Sequence, residues 1–147
     1  MGLLSKRTKI VQAITPTAGA AGATAINGAT IDMAGWMGCL MKVTFGAITA
    51  TAVTAIKAQQ GQISDMSDAA DLAGTAQSIA DTDDDKVFYI DIYRPTERYL
   101  RLVVGRGTAN AVVASAEYIL YGPRKPPSAH GANVAGETFA SPAEGTA

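Results

Sequence analysis

Apolar and polar side chains alternate along much of the chain with a period of two. In KVFYIDIY, residues 86–93, Phe88, Ile90 and Ile92 fall on one face, with two tyrosines and an aspartate on the other. Successive side chains of a β-strand point to opposite sides, so this pattern predicts a strand with one buried face. The periodicity of an amphipathic helix is almost absent from the sequence.

The segment RYLRLVV repeats this alternation shortly afterwards. Leu100, Leu102 and Val104 are expected to face inward, and Tyr99 and Arg101 outward. The preceding RPTE is typical of a turn, because proline presets the backbone angle required at the first central turn position. The pattern therefore predicts two strands joined by a turn.

Other segments have the Val, Ile and Thr content of half-buried strands. They are TKIVQAIT (8–15), INGATIDM (26–33), CLMKVTFG (39–46), TATAVTAIKAQQG (49–61) and AVVASAEYILYG (111–122). Gly46 and Ala47 separate the third segment from the fourth, and Asn27-Gly28 is a turn signal inside the second. Together they predict an all-β fold: an antiparallel β-sandwich, jelly-roll-like or of a related Greek-key type. A β-barrel is the main alternative.

A polar, acidic and alanine-rich stretch interrupts the strand pattern between residues 64 and 85. It predicts a long loop that crosses one end of the sandwich. One helical turn is expected around residues 69–72, with Gly74 ending it.

The two ends of the chain differ in composition from its centre. We therefore divide the chain into an N-terminal arm or first strand (1–23), a β-sandwich domain (24–122) and an extended C-terminal arm (123–147). Pro, Gly, Ser and Ala dominate the last part, which is the composition of a segment without a core of its own. Fully extended it would reach about 80 Å, so both arms are expected to lie along neighbouring chains.

Composition and charge narrow the classes of function. The 147 residues suit one domain, and a net charge of −1 argues against a general nucleic-acid binder. Cys39 is the only cysteine, which excludes an intramolecular disulfide and a thiolate metal site. Its alternating surroundings predict a small buried residue rather than a nucleophile. No apolar run is long enough to span a bilayer, so no membrane association is expected.

Candidate chemistry is sparse. The acidic cluster Asp81, Asp83, Asp84 and Asp85 begins like a calcium loop, but Lys86 stands where that loop needs glycine and Ile92 where it needs glutamate. A solvated acidic loop is therefore favoured over a cation site. His130, the only histidine, lies in the C-terminal arm, where no rigid frame would hold it against a nucleophile.

No other motif indicates catalysis. GRGTAN (105–110) is neither a P-loop nor a dinucleotide fingerprint, and nothing brings Glu97 and Glu117 together as a pair. We expect no enzymatic activity, no catalytic residue, no metal, no cofactor and no small-molecule substrate.

Charge is distributed unevenly along the chain. Seven acids and no bases lie between Asp65 and Asp85, whereas seven bases and three acids lie between Lys86 and Lys125. Two interpretations stay open: ordinary solvated loops, or complementary patches that orient subunits in an assembly.

The stretch DIYRPTERYLRLVVGRGTANAVV followed by YILYGPRKPP, together with the ending SPAEGTA, resembles the capsid decoration (cement) proteins of tailed bacteriophages. The similarity is to those of short-tailed phages such as the Bordetella phage group, and it is best over residues 87–127 and the C-terminal end. It implies a jelly-roll-like sandwich, paired or clustered at local symmetry axes, on the outside of an HK97-type shell. It implies no active site.

The resemblance implies a virion structural protein. It would be made in the host bacterial cytoplasm and would then clamp neighbouring major capsid subunits on the capsid exterior. Its partners would be the major capsid protein and other copies of itself, as a dimer or trimer, and not nucleic acid or membrane. The expected interface residues are Trp36, Arg94, Arg98, Tyr99, Arg101, Arg124, Pro126 and Phe139.

Two other classes remain as alternatives. A glycan-binding or host-attachment sandwich on the virion surface would need a concave aromatic face, which Tyr89, Tyr93 and Tyr99 could supply. A tail-tube or connector subunit would form rings by itself.

Overall fold

Ten strands and one short helix make up the regular structure of the described residues. The computed structural model describes residues 2–145. The elements are α1 (Leu4–Arg7), β1 (Thr8–Ile14), β2 (Ile26–Asn27), β3 (Ile31–Asp32), β4 (Gly38–Ile48), β5 (Val53–Gly61), β6 (Ala70–Asp71), β7 (Gln77–Ile79), β8 (Val87–Tyr93), β9 (Tyr99–Gly107) and β10 (Ala111–Tyr121). Six long strands carry most of the pairing, and the four short ones extend one sheet.

The strands form two antiparallel sheets. The four-stranded sheet has the order β1-β10-β4-β8. The six-stranded sheet has the order β2-β9-β5-β6, with β3 also paired to β9 and β7 to β5. The inward faces of both sheets contribute to one continuous apolar core, so the predicted all-β antiparallel sandwich is confirmed.

The buried faces follow the alternation read from the sequence. Ile90 is buried and Phe88 and Ile92 pack against the core, while Leu100 and Leu102 are fully enclosed. The large side chains with almost no solvent exposure are Tyr118, Phe45, Met41, Ile56, Leu100, Leu102, Leu120, Val43, Val104 and Val113. Because these residues come from β4, β5, β9 and β10, the central strands of both sheets form the centre of the core.

Cys39 lies within this core and has no exposed surface. Burial raises the pKa of its thiol to about 12, because a thiolate would be poorly solvated there. The structure therefore agrees with a packing role for this side chain.

Tyr118 joins the two sheets with a buried hydrogen bond. The backbone N–H of Leu102 donates to its hydroxyl oxygen at 2.8 Å. The strand pairing beside Leu102 ends at Asn27, and Gly28 follows it. A Cβ on Gly28 would lie 2.7 Å from the Tyr118 hydroxyl oxygen. Glycine is thus needed for close approach, whereas the sequence indicated a turn there.

Two local expectations are wrong, and one element was not expected. No helical turn occupies residues 69–72, because Ala70 and Asp71 form β6 against β5, and Asp71 accepts hydrogen bonds from the side chains of Lys57 and Gln59. The β4–β5 boundary is not at Gly46 and Ala47, since β4 continues to Ile48. The sequence also gave no indication of α1.

The N-terminal segment belongs to the body of the protein. β1 pairs with β10 in the four-stranded sheet. Beyond it, the carbonyl of Gly19 accepts a bond from the N–H of Val113, and that of Gly22 from the N–H of Ala111. Of the two expectations for residues 1–23, a first strand agrees with β1, whereas the contacts of Gly19 and Gly22 differ from those of a free arm. Met1 lies outside the described residues.

Part of the C-terminal segment also lies against its own chain, along the free edge of β1. Gly131 N–H donates to the carbonyl of Ile10 at 2.8 Å, and Ile10 N–H donates to His130 Nδ1 at 3.0 Å. An edge strand offers unpaired N–H and C=O groups, which explains why a segment without a core docks here. Residues 128–138 therefore differ from the expected free arm, 123–147, whose last two residues lie outside the described part.

Candidate functional site

Three connections meet at one end of the sandwich. They are residues 33–37 between β3 and β4, residues 94–98 between β8 and β9, and residues 122–125 after β10. Backbone hydrogen bonds join them: Met33 N–H to Arg98 O, Arg94 N–H to Met37 O, and Arg124 N–H to Gly35 O, at 2.8–2.9 Å. The three connections therefore form one bonded unit that holds its side chains in fixed relative positions.

This unit encloses an open groove of about 670 Å³, which we call the arginine groove. Its lining consists of residues 33–37, residues 94–98, Gln62 and Arg124. A second hollow of about 350 Å³ shares residues 34–36 and Arg124 with it and adds Pro123 and Lys125. The two hollows therefore adjoin each other.

Arg98 is a fixed part of the groove wall. Its Nε and Nη2 atoms donate to the two carboxylate oxygens of Asp32 at 3.0 and 2.7 Å, and its guanidinium lies 5.2 Å from the centre of the Tyr99 ring. The hydrogen bond from Arg98 lowers the pKa of Asp32. A bidentate pair of this kind fixes geometry as well as charge, so Arg98 has little freedom to bind a partner.

Arg94 and Arg124 differ from Arg98, since neither has a carboxylate within 4.0 Å in the described part of the chain. The guanidinium of Arg94 lies 5.2 Å from the centre of the Tyr93 ring, and the Arg94 backbone has a φ of 50°. A left-handed conformation at a non-glycine residue costs about 1–3 kcal/mol. The groove thus contains two exposed arginines that form no ion pair with a described carboxylate, although Glu97 also lines it.

Trp36 contributes the only tryptophan ring of the chain to the groove lining. The residue is half-buried and packs against the apolar core, and its backbone N–H donates to the carbonyl of Met33 at 3.0 Å. Its ring adds a large apolar surface to a groove that also contains Arg94 and Arg124.

The structure brings together four of the eight expected interface residues. Trp36, Arg94, Arg98 and Arg124 line the arginine groove, and Tyr99 borders it through the stacked Arg98.

The other three expected residues lie elsewhere. Arg101 is half-buried on the outer face of the six-stranded sheet, where Nε donates to Gln59 at 2.8 Å. Pro126 is beside α1. Phe139 is 64% exposed in the C-terminal segment, next to Thr138, whose hydroxyl bonds that of Ser5.

The three tyrosines proposed for a glycan platform do not share a face. Tyr89 and Tyr93 are exposed on the outer side of β8, in the four-stranded sheet. Tyr99 begins β9, in the other sheet. The aromatic face required by that alternative is therefore not assembled from these residues.

The acidic loop lies at the opposite end of the sandwich, and its carboxylates accept backbone hydrogen bonds. Asp84 binds the N–H of Ile48 at 2.6 Å, and Asp81 binds that of Thr51 at 3.1 Å. Asp83 accepts from the N–H of Ala80 and pairs with Lys86. Across residues 2–145 no group of three or more His, Cys, Asp or Glu side chains is arranged to hold a metal ion. These aspartates act as loop caps.

His130 and the GRGTAN loop also have structural contacts. His130 uses Nδ1 to accept the N–H of Ile10, at the edge of the sheet. Arg106 of the loop donates to the backbone carbonyls of Ala20, Thr24 and Ala111 at 2.7–2.9 Å. Glu117 pairs with Lys42 across the outer face of the four-stranded sheet, whereas Glu97 lines the arginine groove.

Asp32 and Gln62 are residues of the site that sequence reasoning missed. Asp32 closes a two-residue strand and accepts both bonds from Arg98; Gln62 follows directly after β5. A usable signal was their position, because each stands where a strand ends at the same end of the sandwich.

No family model matches the chain, and a search of curated proteins returns no significant match. None of the described helices is long and apolar enough to cross a lipid bilayer.

Proposed function

We propose that this chain is a virion structural protein that decorates the outside of a phage capsid and clamps neighbouring major capsid subunits. The observation that carries the proposal is the arginine groove, a cationic surface on a bonded loop unit at one end of the sandwich. Its loops include residues 94–98 and 122–125, which lie inside the segment that resembles phage cement proteins. The remaining candidate residues have packing or capping contacts, which favours binding over catalysis.

We infer that the sandwich is a jelly roll. The sheet orders β1-β10-β4-β8 and β2-β9-β5-β6 support this, if β2 with β3, and β6 with β7, each count as one interrupted strand. Eight strand positions then form two sheets, and most connections pass from one sheet to the other. Such double-sheet folds are common among capsid proteins.

The proposed mechanism is stabilisation by linkage. A protein that binds only the assembled shell shifts the equilibrium toward assembly in proportion to its occupancy. The loop end of the sandwich would contact the shell, and many copies on one particle would act together. Each contact can then be weak, because a protein held at one site has a high effective concentration at its neighbouring sites on the shell.

Sedimentation tests this proposal directly. Purified protein should pellet with empty heads of the phage or prophage that carries its gene, and should stay in solution with unassembled capsid subunits. Immunogold electron microscopy should then label the outer surface of the heads. If the protein pellets equally with tail preparations that lack heads, or forms rings alone on a sizing column, the connector alternative replaces this proposal.

Truncation separates the roles of the two parts of the C-terminal segment. A chain lacking residues 126–147 loses the bonds between the segment and Ile10, each of which stabilises by about 0.5–1.5 kcal/mol. It should still fold, but the Ile10 amide should exchange faster with solvent and binding to heads should weaken.

A chain lacking only residues 139–147 is the matched control, because it keeps the contacts of His130, Gly131 and Thr138. Its Ile10 amide should exchange at the wild-type rate, while loss of Phe139 still weakens binding to heads if the end of the segment lies on the shell. If both truncated chains bind heads as tightly as the wild type, the C-terminal segment does not contribute to capsid binding.

A further inference from the structure

We propose that the arginine groove binds an extended acidic segment of a partner protein, with carboxylates on Arg94 and Arg124 and the chain between them lying over Trp36. This inference deepens the proposed function, since it names the chemistry of the surface that the clamp recognises.

Arg94 and Arg124 have unused hydrogen-bond donors. The guanidinium of Arg98 donates two bonds to Asp32, and that of Arg106 donates to backbone carbonyls. Within residues 2–145, the guanidinium groups of Arg94 and Arg124 have no carboxylate within 4.0 Å. Both side chains line the same groove, so their donors are available to one ligand.

Arginine chemistry selects the ligand. The planar fork of a guanidinium matches a carboxylate with two parallel hydrogen bonds. Charge-assisted bonds of this kind are roughly twice as strong as neutral ones. A ligand that carries two spaced carboxylates would satisfy both free arginines at once.

The other groups of the groove favour a peptide over a nucleic acid. Glu97 and Asp32 lie in or beside the same lining, and the whole chain has a net charge of −1. A continuous phosphate backbone would meet these carboxylates and be repelled, since nucleic-acid affinity depends on a basic excess. A peptide can place carboxylates against the two arginines and uncharged residues against Glu97 and Trp36.

The partner is not a second copy offering its acidic loop. The carboxylates of Asp81, Asp83 and Asp84 already accept backbone N–H groups of their own chain. These caps fold the acidic loop back onto its own chain, whereas the groove is proposed to take an extended segment. The acidic loop of a second copy is therefore not the proposed occupant.

Fluorescence gives a direct test, because Trp36 is the only tryptophan of the chain. The probe is a capped peptide of alternating glutamate and glycine, titrated at low salt. We expect a saturable change in Trp36 emission that weakens as salt is added. Arg94→Gln and Arg124→Gln should each lower the affinity by roughly ten-fold.

Lys42→Gln is the charge-matched control, since Lys42 lies on the outer face of the four-stranded sheet and pairs with Glu117. It should bind the peptide as the wild type does. Thermal unfolding of the two arginine variants should match that of the wild type, which separates lost binding from lost folding.

Several outcomes would overturn the inference. Absence of a saturable change in the wild type would do so, as would equal weakening by Lys42→Gln, which indicates unspecific attraction. Tighter binding of single-stranded oligothymidylate than of the peptide would assign the groove to phosphate instead.

Head sedimentation keeps this inference separable from the proposed function. If the protein pellets with heads but does not bind the peptide, the proposed function stands and the acidic-peptide site is wrong. If it binds the peptide through Arg94 and Arg124 but never pellets with heads, the peptide site stands and the proposed function is wrong.

Discussion

Replacing Phe45 with alanine should lower the free energy of unfolding by about 3–5 kcal/mol, the largest single effect expected in this protein. Phe45 is 1% exposed, and its ring packs edge-to-face against that of Phe88 with centroids 5.8 Å apart. The substitution removes buried apolar surface and leaves a cavity that the two sheets cannot fully close. Chemical denaturation followed by circular dichroism measures the change.

Phe139→Ala provides the matched control, because the same atoms are removed from a ring that is 64% exposed. It should change the unfolding free energy by less than about 0.5 kcal/mol. Equal losses in both variants would mean that the C-terminal segment, and not the space between the sheets, contains a major part of the stabilising core.

The second large effect concerns Tyr118. Tyr118→Phe keeps the ring but leaves the N–H of Leu102 without its buried acceptor. An unsatisfied buried donor costs about 1–3 kcal/mol, so the denaturation midpoint should fall while the slope stays unchanged.

Tyr121→Phe is the control for loss of a hydroxyl. The Tyr121 hydroxyl donates to Asp91 at 2.7 Å near the surface. Water can replace this hydroxyl as the donor to Asp91, so the free energy of unfolding should fall by no more than about 0.5 kcal/mol. If Tyr118→Phe is no more costly than Tyr121→Phe, water must reach Leu102 and the bond between the sheets is not a stabilising element.

The long strands could be predicted because their signal is local. In β8 the side chains alternate between core and solvent, and in β9 they do so through Leu100 and Leu102 until the buried Val103 interrupts the pattern. A short run of consecutive residues therefore indicates both the element and its buried face. The short strands give no such signal. β6 has two residues, and its pairing depends on Lys57 and Gln59, which are distant in sequence.

The C-terminal segment shows where composition is insufficient. Its Pro, Gly and Ser content correctly indicates that it has no core of its own. Composition cannot show that the edge of β1 has an unpaired N–H and C=O at Ile10, or that His130 can reach the N–H and Gly131 the C=O. Such a contact depends on the fold of the remaining chain, and it forms between residues far apart in sequence.

The arginine groove was predictable in part. Outward alternation and charge selected Arg94 and Arg98 as surface residues, and the composition of the C-terminal segment selected Arg124. Neither signal gave a reason to group these residues with Trp36. Their proximity follows from topology, because β3, β8 and β10 all end at the same end of the sandwich. Atomic positions are needed to see that Arg98 pairs with Asp32 whereas Arg94 only stacks on Tyr93.

The central place of β10 in the four-stranded sheet has a consequence for biosynthesis. β10 is the last strand of the chain, yet it lies between β1, the first, and β4. On a translating ribosome, β1 therefore stays unpaired while more than a hundred residues are added, which takes about 5–20 s at a synthesis rate of about 5–20 residues per second. During that interval the nascent chain exposes an unprotected apolar strand, and chaperone contact at residues 8–14 should end only after Tyr121 has left the exit tunnel.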